Sequence, residues 1–152
     1  SSPKTAHQIA LTELFGTFFN WFQGKECTPM VAPYDITLKR SAENINVVQP
    51  DIMVICDLEE KLGEDDYYKG VPTLVVEILS ESTKKKDLIN KLELYMSCGV
   101  QEYWIVNPIN KEVTIYHFEG KNIKELFTYR KGEKAQSFIF AGLEADLYKV
   151  SK

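Results

Sequence analysis

The chain has 152 residues, of which 44% are hydrophobic and 26% are charged, and 18 Lys and Arg against 22 Asp and Glu give a formal net charge of −4. This length predicts a single domain that spans residues 1–152. Average apolar content and mixed charge exclude a disordered tail, a collagen-like fibre and a disulfide scaffold.

The stretch richest in aromatic residues, 14–22, is a poor candidate for a membrane span. It contains Gly16, Thr17 and Asn20, and it is shorter than the ~20 apolar residues that a bilayer requires. It also lacks the basic flank and the small-residue cleavage site of a signal peptide. We therefore expect neither a membrane segment nor a secretory leader.

Cysteine and histidine are too sparse to suggest a site of their own. Cys27, Cys56 and Cys98 are widely spaced, odd in number and without a C-x-x-C pair, which favours neither a disulfide framework nor a zinc site. His7 and His117 stand far apart in the chain. We expect a cytoplasmic protein whose metal chemistry, if any, depends on carboxylates.

The first half of the chain predicts a helix followed by two strands. Apolar residues recur at intervals of three and four over residues 5–23, a helical stripe that Gly24 ends. Residues 31–38 and 46–56 are rich in β-branched side chains and are separated by a polar stretch. They are therefore predicted to form two strands joined by a turn.

The second half predicts a strand, a helix and further strands. Residues 71–79 are almost continuously apolar, which is typical of a strand in the middle of a sheet. A helix over residues 83–98, capped by Ser82 or Thr83, connects it to a strand over residues 102–106 in a crossover unit. Residues 111–118 complete a hairpin, and a further strand follows over 123–129.

Glu77 interrupts an apolar run, LVVEIL. An unpaired carboxylate inside a sheet costs on the order of several kcal/mol, so a cation or a proton must compensate it. Asp51 follows Pro50 at the start of another apolar strand. If the two strands pair, both acids project to one side and can hold Mg²⁺ or Mn²⁺. Two converging acids should also raise the pKa of at least one of them.

These residues carry a resemblance to a known family. Pro50-Asp51, followed after 26 positions by Glu77 and then by a helix, resembles the PD-(D/E)XK nuclease superfamily. The segments VVQPDIMVI, GVPTLVVEILSEST, KLELYMSCGVQEYWIVNP and FAGLEADL, with His7-Gln8, are similar to the Uma-two family of restriction-endonuclease-like proteins. The resemblance implies an α/β fold with an α-β-β-β-α-β core, a mixed central sheet flanked by helices and C-terminal hairpin strands.

The resemblance also implies a metal-dependent nuclease with one substituted motif position. The superfamily has Lys two residues after the second acid, where this chain has Leu79. Lys91, in the second predicted helix, matches the helical lysine that the family is thought to use instead. The implied catalytic residues are Asp51, Glu77 and Lys91, with Asp51 and Glu77 as ligands of Mg²⁺ or Mn²⁺.

Each of these residues also has a structural alternative. Glu77 could form a structural ion pair with Lys91 or Lys86, and Asp51 could be a turn residue after Pro50. Lys91 could be a solvated helix lysine; if it is instead catalytic, its replacement by alanine is expected to abolish cleavage and to leave the melting temperature nearly unchanged. Lys84, Lys85 and Lys86 are predicted to lie at the start of the same helix, where they could contact nucleic-acid phosphates or only be solvated.

Two functions therefore compete. One is a Mg²⁺-dependent endonuclease that hydrolyses phosphodiester bonds of a nucleic acid, DNA being the expected one, and that acts as a homodimer. The net charge of −4 opposes this function, because duplex binding depends on Lys and Arg. The other is a catalytically inactive interaction module that keeps the nuclease fold as a dimerising scaffold, which the Leu79 substitution favours.

Overall fold

The computed structural model describes residues 3–146. In chain order its elements are α1 (Thr5–Trp21), β1 (Thr28–Val31), β2 (Ile36–Lys39), β3 (Ile45–Val48), β4 (Ile52–Ile55), α2 (Leu58–Lys61), β5 (Leu74–Ile78), α3 (Lys85–Cys98), β6 (Glu102–Asn107), β7 (Glu112–Glu119), β8 (Asn122–Arg130), β9 (Lys134–Gln136) and β10 (Glu144–Asp146).

A mixed sheet forms the centre of the fold. Its six strands lie in the order β1, β4, β5, β6, β7, β8, so β5 is an interior strand as its apolar sequence predicts. The β5 and β6 strands are parallel and α3 connects them, whereas the other neighbours are antiparallel. The order α1, β1, β4, β5, α3, β6 confirms the predicted α-β-β-β-α-β core, into which β2 and β3 are inserted.

The two faces of the sheet are covered by different elements. On one face α1 buries Ala10, Leu14 and Phe18 against even-numbered residues of β4 and β5. On the other face α3 and the β2–β3 hairpin pack against the odd-numbered residues Met53 and Val75. Because strand side chains alternate between faces, this alternation assigns position 77 to the α3 face.

The two strands predicted over residues 31–38 and 46–56 are each divided by a proline. The first divides at Pro33, whose peptide bond with Ala32 is cis, and the second divides at Pro50. The halves next to the connecting turn pair with each other as β2 and β3, and the halves farther from it pair with each other as β1 and β4. Proline has no backbone N–H and cannot continue a ladder, so each predicted strand becomes two short ones.

The helix predicted to start at Thr83 begins two residues later, at Lys85, and Lys84 is its N-cap residue without a side-chain hydrogen bond. The predicted cap at Ser82 or Thr83 is therefore wrong. The Thr83 hydroxyl instead accepts a hydrogen bond from the Ser80 backbone N–H at 3.0 Å. It closes the preceding turn and is not available to the helix.

Cys27 and Cys56 form a disulfide, although the number and spacing of the cysteines favoured no disulfide framework. They flank the antiparallel pair of β1 and β4, in which Thr28 lies opposite Ile55. Their Cα atoms are therefore only 4.2 Å apart although 29 positions separate them in the sequence. The remaining cysteine, Cys98, is free and partly buried.

The segment after β8 contains two short strands that the sequence does not predict, β9 and β10. The carboxylate of Glu102, which is fully buried, fixes this segment on the sheet. It accepts hydrogen bonds from the Ser137 hydroxyl at 2.7 Å, the Phe138 N–H at 2.8 Å and the Ile139 N–H at 3.0 Å, and from the Trp104 indole at 2.7 Å. Within residues 3–146 no helix is both long and apolar enough to cross a membrane.

Candidate functional site

Asp51 and Glu77 lie at the same end of two adjacent strands. In the antiparallel pair of β4 and β5, Ile52 lies opposite Val76. Asp51 directly precedes Ile52, and Glu77 directly follows Val76. The predicted pairing of their strands is therefore confirmed, while their role as metal ligands stays a prediction.

Two neighbouring groups hold the carboxylate of Asp51. Its Oδ2 atom accepts a hydrogen bond from the backbone N–H of Ile78 at 2.7 Å. Its Oδ1 atom lies 3.4 Å from Nε2 of His7, near the start of α1, and both side chains are less than one-fifth exposed. The strand that carries Glu77 thus orients Asp51 through its main chain.

The carboxylate of Glu77 is buried, and two donors hold one of its oxygens. Its Oε2 atom accepts a hydrogen bond from the Tyr95 hydroxyl at 2.7 Å and lies 2.9 Å from the Lys91 ammonium. Both donors belong to α3, one helical turn apart. Lys91 rather than Lys86 is therefore the partner of Glu77.

Burial raises the pKa of Glu77 above its ordinary value, while Lys91 and Tyr95 oppose the rise and the charge of Asp51 adds to it. The predicted rise is confirmed in direction. The main cause of the rise differs from the predicted one, because desolvation of Glu77 contributes more than repulsion between the two acids.

Two buried tyrosines lie beside Glu77 with different hydrogen-bonding states. Tyr95 and Tyr103 are fully buried, and their ring centroids are 5.0 Å apart. Burial, with the negative charge of Glu77, raises the pKa of both hydroxyls. Tyr95 bonds to Glu77, but the Tyr103 hydroxyl is, within residues 3–146, the buried side-chain polar atom that has no partner.

An open cavity of about 480 Å³ gives access to Glu77 and Lys91. Leu79, which occupies the motif position of the missing lysine, lines the same cavity, as does Asp87. A side chain two positions after Glu77 on a strand projects to the same side. α3 therefore places the ammonium of Lys91 in the space that a lysine at position 79 would reach.

A second cavity of about 500 Å³ lies on the α1 side of the site. His7 and Ile78 line it, and an ion pair between Lys4 and Glu81 at 3.5 Å connects α1 to the loop after β5. Ile78 also lines the first cavity, so the two cavities meet at the residue whose N–H holds Asp51.

Lys84, Lys85 and Lys86 are exposed at the beginning of α3. They precede Asp87 and Lys91 on the helix that borders the first cavity. Their position permits contact with a polyanion that lies across the cavity, and such contact stays a prediction.

The donor set fits an open metal site better than a closed one. Across residues 3–146 no group of three or more His, Cys, Asp or Glu is arranged to hold a metal ion. Mg²⁺, however, is commonly bound by one or two carboxylates and completes its shell with water and substrate phosphate. A carboxylate has lone pairs beyond those used by its hydrogen bonds. Asp51 and Glu77 can therefore serve as the two protein ligands.

Sequence reasoning did not find the two contacts that orient the acids. Tyr95 is four positions after Lys91, so its place on the same helical face was available as a signal, but it counted only as part of the apolar stripe. The contact between His7 and Asp51 joins residues from distant parts of the chain, and no spacing rule predicts it.

Comparisons with known proteins identify a matching family and similar proteins. The model of the family Uma2, described as "putative restriction endonuclease", matches residues 1–148. An uncharacterized Synechocystis protein, slr1290, is 29% identical over 131 residues, which are 86% of this chain and 66% of that protein, just under two thirds of its length.

A crystal structure gives the fold comparison. It is described as a "putative nuclease belonging to DUF820" from Anabaena variabilis, and it superposes with a TM-score of 0.77 at 15% identity, covering 99% of this chain and 83% of the other. At this identity the match shows a shared nuclease-like fold, which confirms the predicted fold class.

Proposed function

The chain belongs to the Uma2 family, and we propose that it is a metal-dependent endonuclease that hydrolyses phosphodiester bonds of a nucleic acid, DNA being the first candidate. The observation that carries the proposal is the pair of acids, Asp51 and Glu77, at the same end of adjacent strands, with the Lys91 ammonium 2.9 Å from Glu77. Two carboxylates and one cation at a cavity are the groups that this hydrolysis needs.

Asp51 and Glu77 would hold Mg²⁺ or Mn²⁺. Such an ion lowers the pKa of a bound water and neutralises charge on the phosphate. The protein's own contribution is orientation, since the Ile78 N–H fixes Asp51 and α3 fixes Glu77. Water can enter because the cavity beside Glu77 is open to solvent.

Lys91 supplies the cation that position 79 lacks. Its side chain is 42% exposed, so its ammonium can turn from Glu77 towards a phosphate in the cavity. A lysine ammonium acts there as a point charge that stabilises negative charge as the phosphodiester bond breaks. Lys84, Lys85 and Lys86 would add local positive charge to a chain with a net charge of −4.

The test is cleavage of supercoiled plasmid and of single-stranded DNA and RNA, with Mg²⁺, with Mn²⁺ and with EDTA. We expect metal-dependent cleavage by the wild type and none by Asp51→Asn or Glu77→Gln. Lys91→Met should lower the rate by on the order of 100-fold or more, as does loss of one donor to a developing charge elsewhere. Lys124→Met removes an exposed lysine and is the matched control. Equal cleavage by wild type and Glu77→Gln would refute the proposal.

A swap of positions tests the role of Lys91 separately. Lys91→Leu combined with Leu79→Lys places the ammonium on the strand, in the same cavity. Recovery of part of the lost rate would show that the cation matters and not the helix position. No recovery, with a normal fold, would favour a purely structural lysine.

One observation favours the second candidate, an inactive interaction module. Lys91 and Tyr95 satisfy the buried Glu77 without a metal ion, as a structural ion pair would. Titration with Mn²⁺ distinguishes the candidates, because a ligand at 100 times its Kd stabilises the folded state by about 2.7 kcal/mol. The scaffold predicts no rise in Tm.

Homodimerisation and a cytoplasmic location also stay predictions. A symmetric pair would place two sites on the two strands of a duplex, and light scattering after gel filtration measures the mass. A reducing cytoplasm would keep Cys27 and Cys56 as thiols, unlike the disulfide in this structure. Thiol labelling at the moment of cell lysis tests the location.

A further inference from the structure

Glu77 receives two hydrogen-bond donors that differ in mobility. Lys91 is 42% exposed and sits on a flexible stem, whereas Tyr95 is fully buried. The ring of Tyr95 packs against that of Tyr103 and cannot follow a ligand out of the core. When Lys91 turns towards a phosphate, Tyr95 is the donor that remains on Glu77.

Both donors from α3 bind the same oxygen, Oε2 of Glu77. The other oxygen, Oε1, is thus the one that α3 leaves for a cation. Asp51 is held at Oδ2 by the Ile78 N–H, and its Oδ1 atom lies 3.4 Å from Nε2 of His7. Each acid therefore has one oxygen that accepts a hydrogen bond from a rigid donor of the protein.

We propose that Tyr95 is a positioning residue for the metal site, whose hydroxyl fixes the carboxylate of Glu77 in the orientation that binds the cation. This inference rests on the proposed function. Groups that orient metal ligands through hydrogen bonds commonly change metal affinity by about 10–100-fold when they are removed. A hydroxyl that only satisfied a buried acid would change stability and leave the intrinsic affinity for metal unaltered.

The neighbouring tyrosine provides a matched control. Tyr95→Phe and Tyr103→Phe each remove one buried hydroxyl and keep the ring in place. The Tyr95 hydroxyl donates to Glu77, and the Tyr103 hydroxyl has no partner among the residues that the structure describes. Packing effects should be similar in the two variants, so a difference between them reports on the hydrogen bond.

The experiment is calorimetric titration of the metal-free proteins with Mn²⁺, well below the melting transition of each variant. We expect Tyr95→Phe to raise the Kd for Mn²⁺ by about 10–100-fold and Tyr103→Phe to leave it unchanged. We also expect excess Mn²⁺ to restore plasmid cleavage by Tyr95→Phe but not by Lys91→Met.

Three outcomes would overturn the inference. If Tyr95→Phe binds Mn²⁺ as tightly as the wild type, the hydroxyl does not position Glu77. If both tyrosine variants weaken binding alike, packing and not the hydrogen bond is responsible. If the wild type binds no Mn²⁺, the proposed function itself fails and the inference fails with it, a result distinct from the other two.

Discussion

Replacing Lys91 by Met should destabilise the protein, and the loss should depend on pH. Breaking a fully buried ion pair costs about 3–5 kcal/mol, and an exposed pair contributes about 0–1 kcal/mol. Here the Glu77 side chain is 8% exposed and that of Lys91 is 42% exposed. We therefore expect a loss of about 2 kcal/mol at neutral pH, which is roughly 4–8 °C in Tm for a domain of this size.

The sign of the pH dependence follows from Glu77. Its folded-state pKa is raised above the ordinary 4.5, mainly by burial, so the folded protein binds the proton more tightly than the unfolded chain does. Stability from this group therefore falls as the pH rises above about 4.5. Removing Lys91 raises the pKa of Glu77 further and deepens the fall. Below about pH 4.5 the carboxyl is protonated in both states, and the two proteins should converge.

The assay is urea unfolding of wild type, Lys91→Met, Glu77→Gln and the double variant between pH 4 and pH 8. We expect a coupling energy of about 1–2 kcal/mol at pH 8 that vanishes at pH 4. Lys124→Met, which breaks an exposed pair with Glu119, should change stability by less than about 0.5 kcal/mol. A loss that is equal at both pH values would refute the reasoning, because it would then come from packing of the lysine stem.

Three further predictions concern other parts of the fold. Glu102→Ala should lower the free energy of unfolding by about 3–5 kcal/mol in a urea titration, because it leaves several buried hydrogen-bond donors without an acceptor. Reduction of the Cys27–Cys56 disulfide should lower it by about 3–4 kcal/mol, the chain-entropy value for a separation of 29 residues, whereas Cys98→Ser should not. Saturating Mn²⁺ should raise the Tm of the wild type but not that of Glu77→Gln, by differential scanning fluorimetry.

The acids of the site could be predicted because each one breaks a local pattern. Glu77 interrupts a strand that is buried on both faces, and Asp51 follows a proline that ends one strand before another begins. Periodicity also located α1, β5, α3 and the β6–β7 hairpin to within about three residues. Such signals are local, so a single sequence carries them.

Two contacts between distant segments could not be predicted. The pairing of β1 with β4 brings Cys27 to Cys56, and the packing of α1 brings His7 to Asp51. Neither contact produces a pattern in the sequence of the intervening residues. The sequence also suggested that Lys91 contributes little to stability, whereas its ion pair with the buried Glu77 predicts a measurable loss.

The position of Lys91 follows from the crossover that connects β5 to β6. A short loop after Glu77 leads into α3, which packs on the face of the sheet where Glu77 projects. Residues one turn apart on that helix then meet the same carboxylate from the same side. Lys91 and Tyr95 both do so; Lys91 is mobile and charged, whereas Tyr95 is rigid and neutral. A strand lysine at position 79 would reach the same cavity but would bring no second donor with it, so moving the cation to the helix also places the tyrosine that holds the acid.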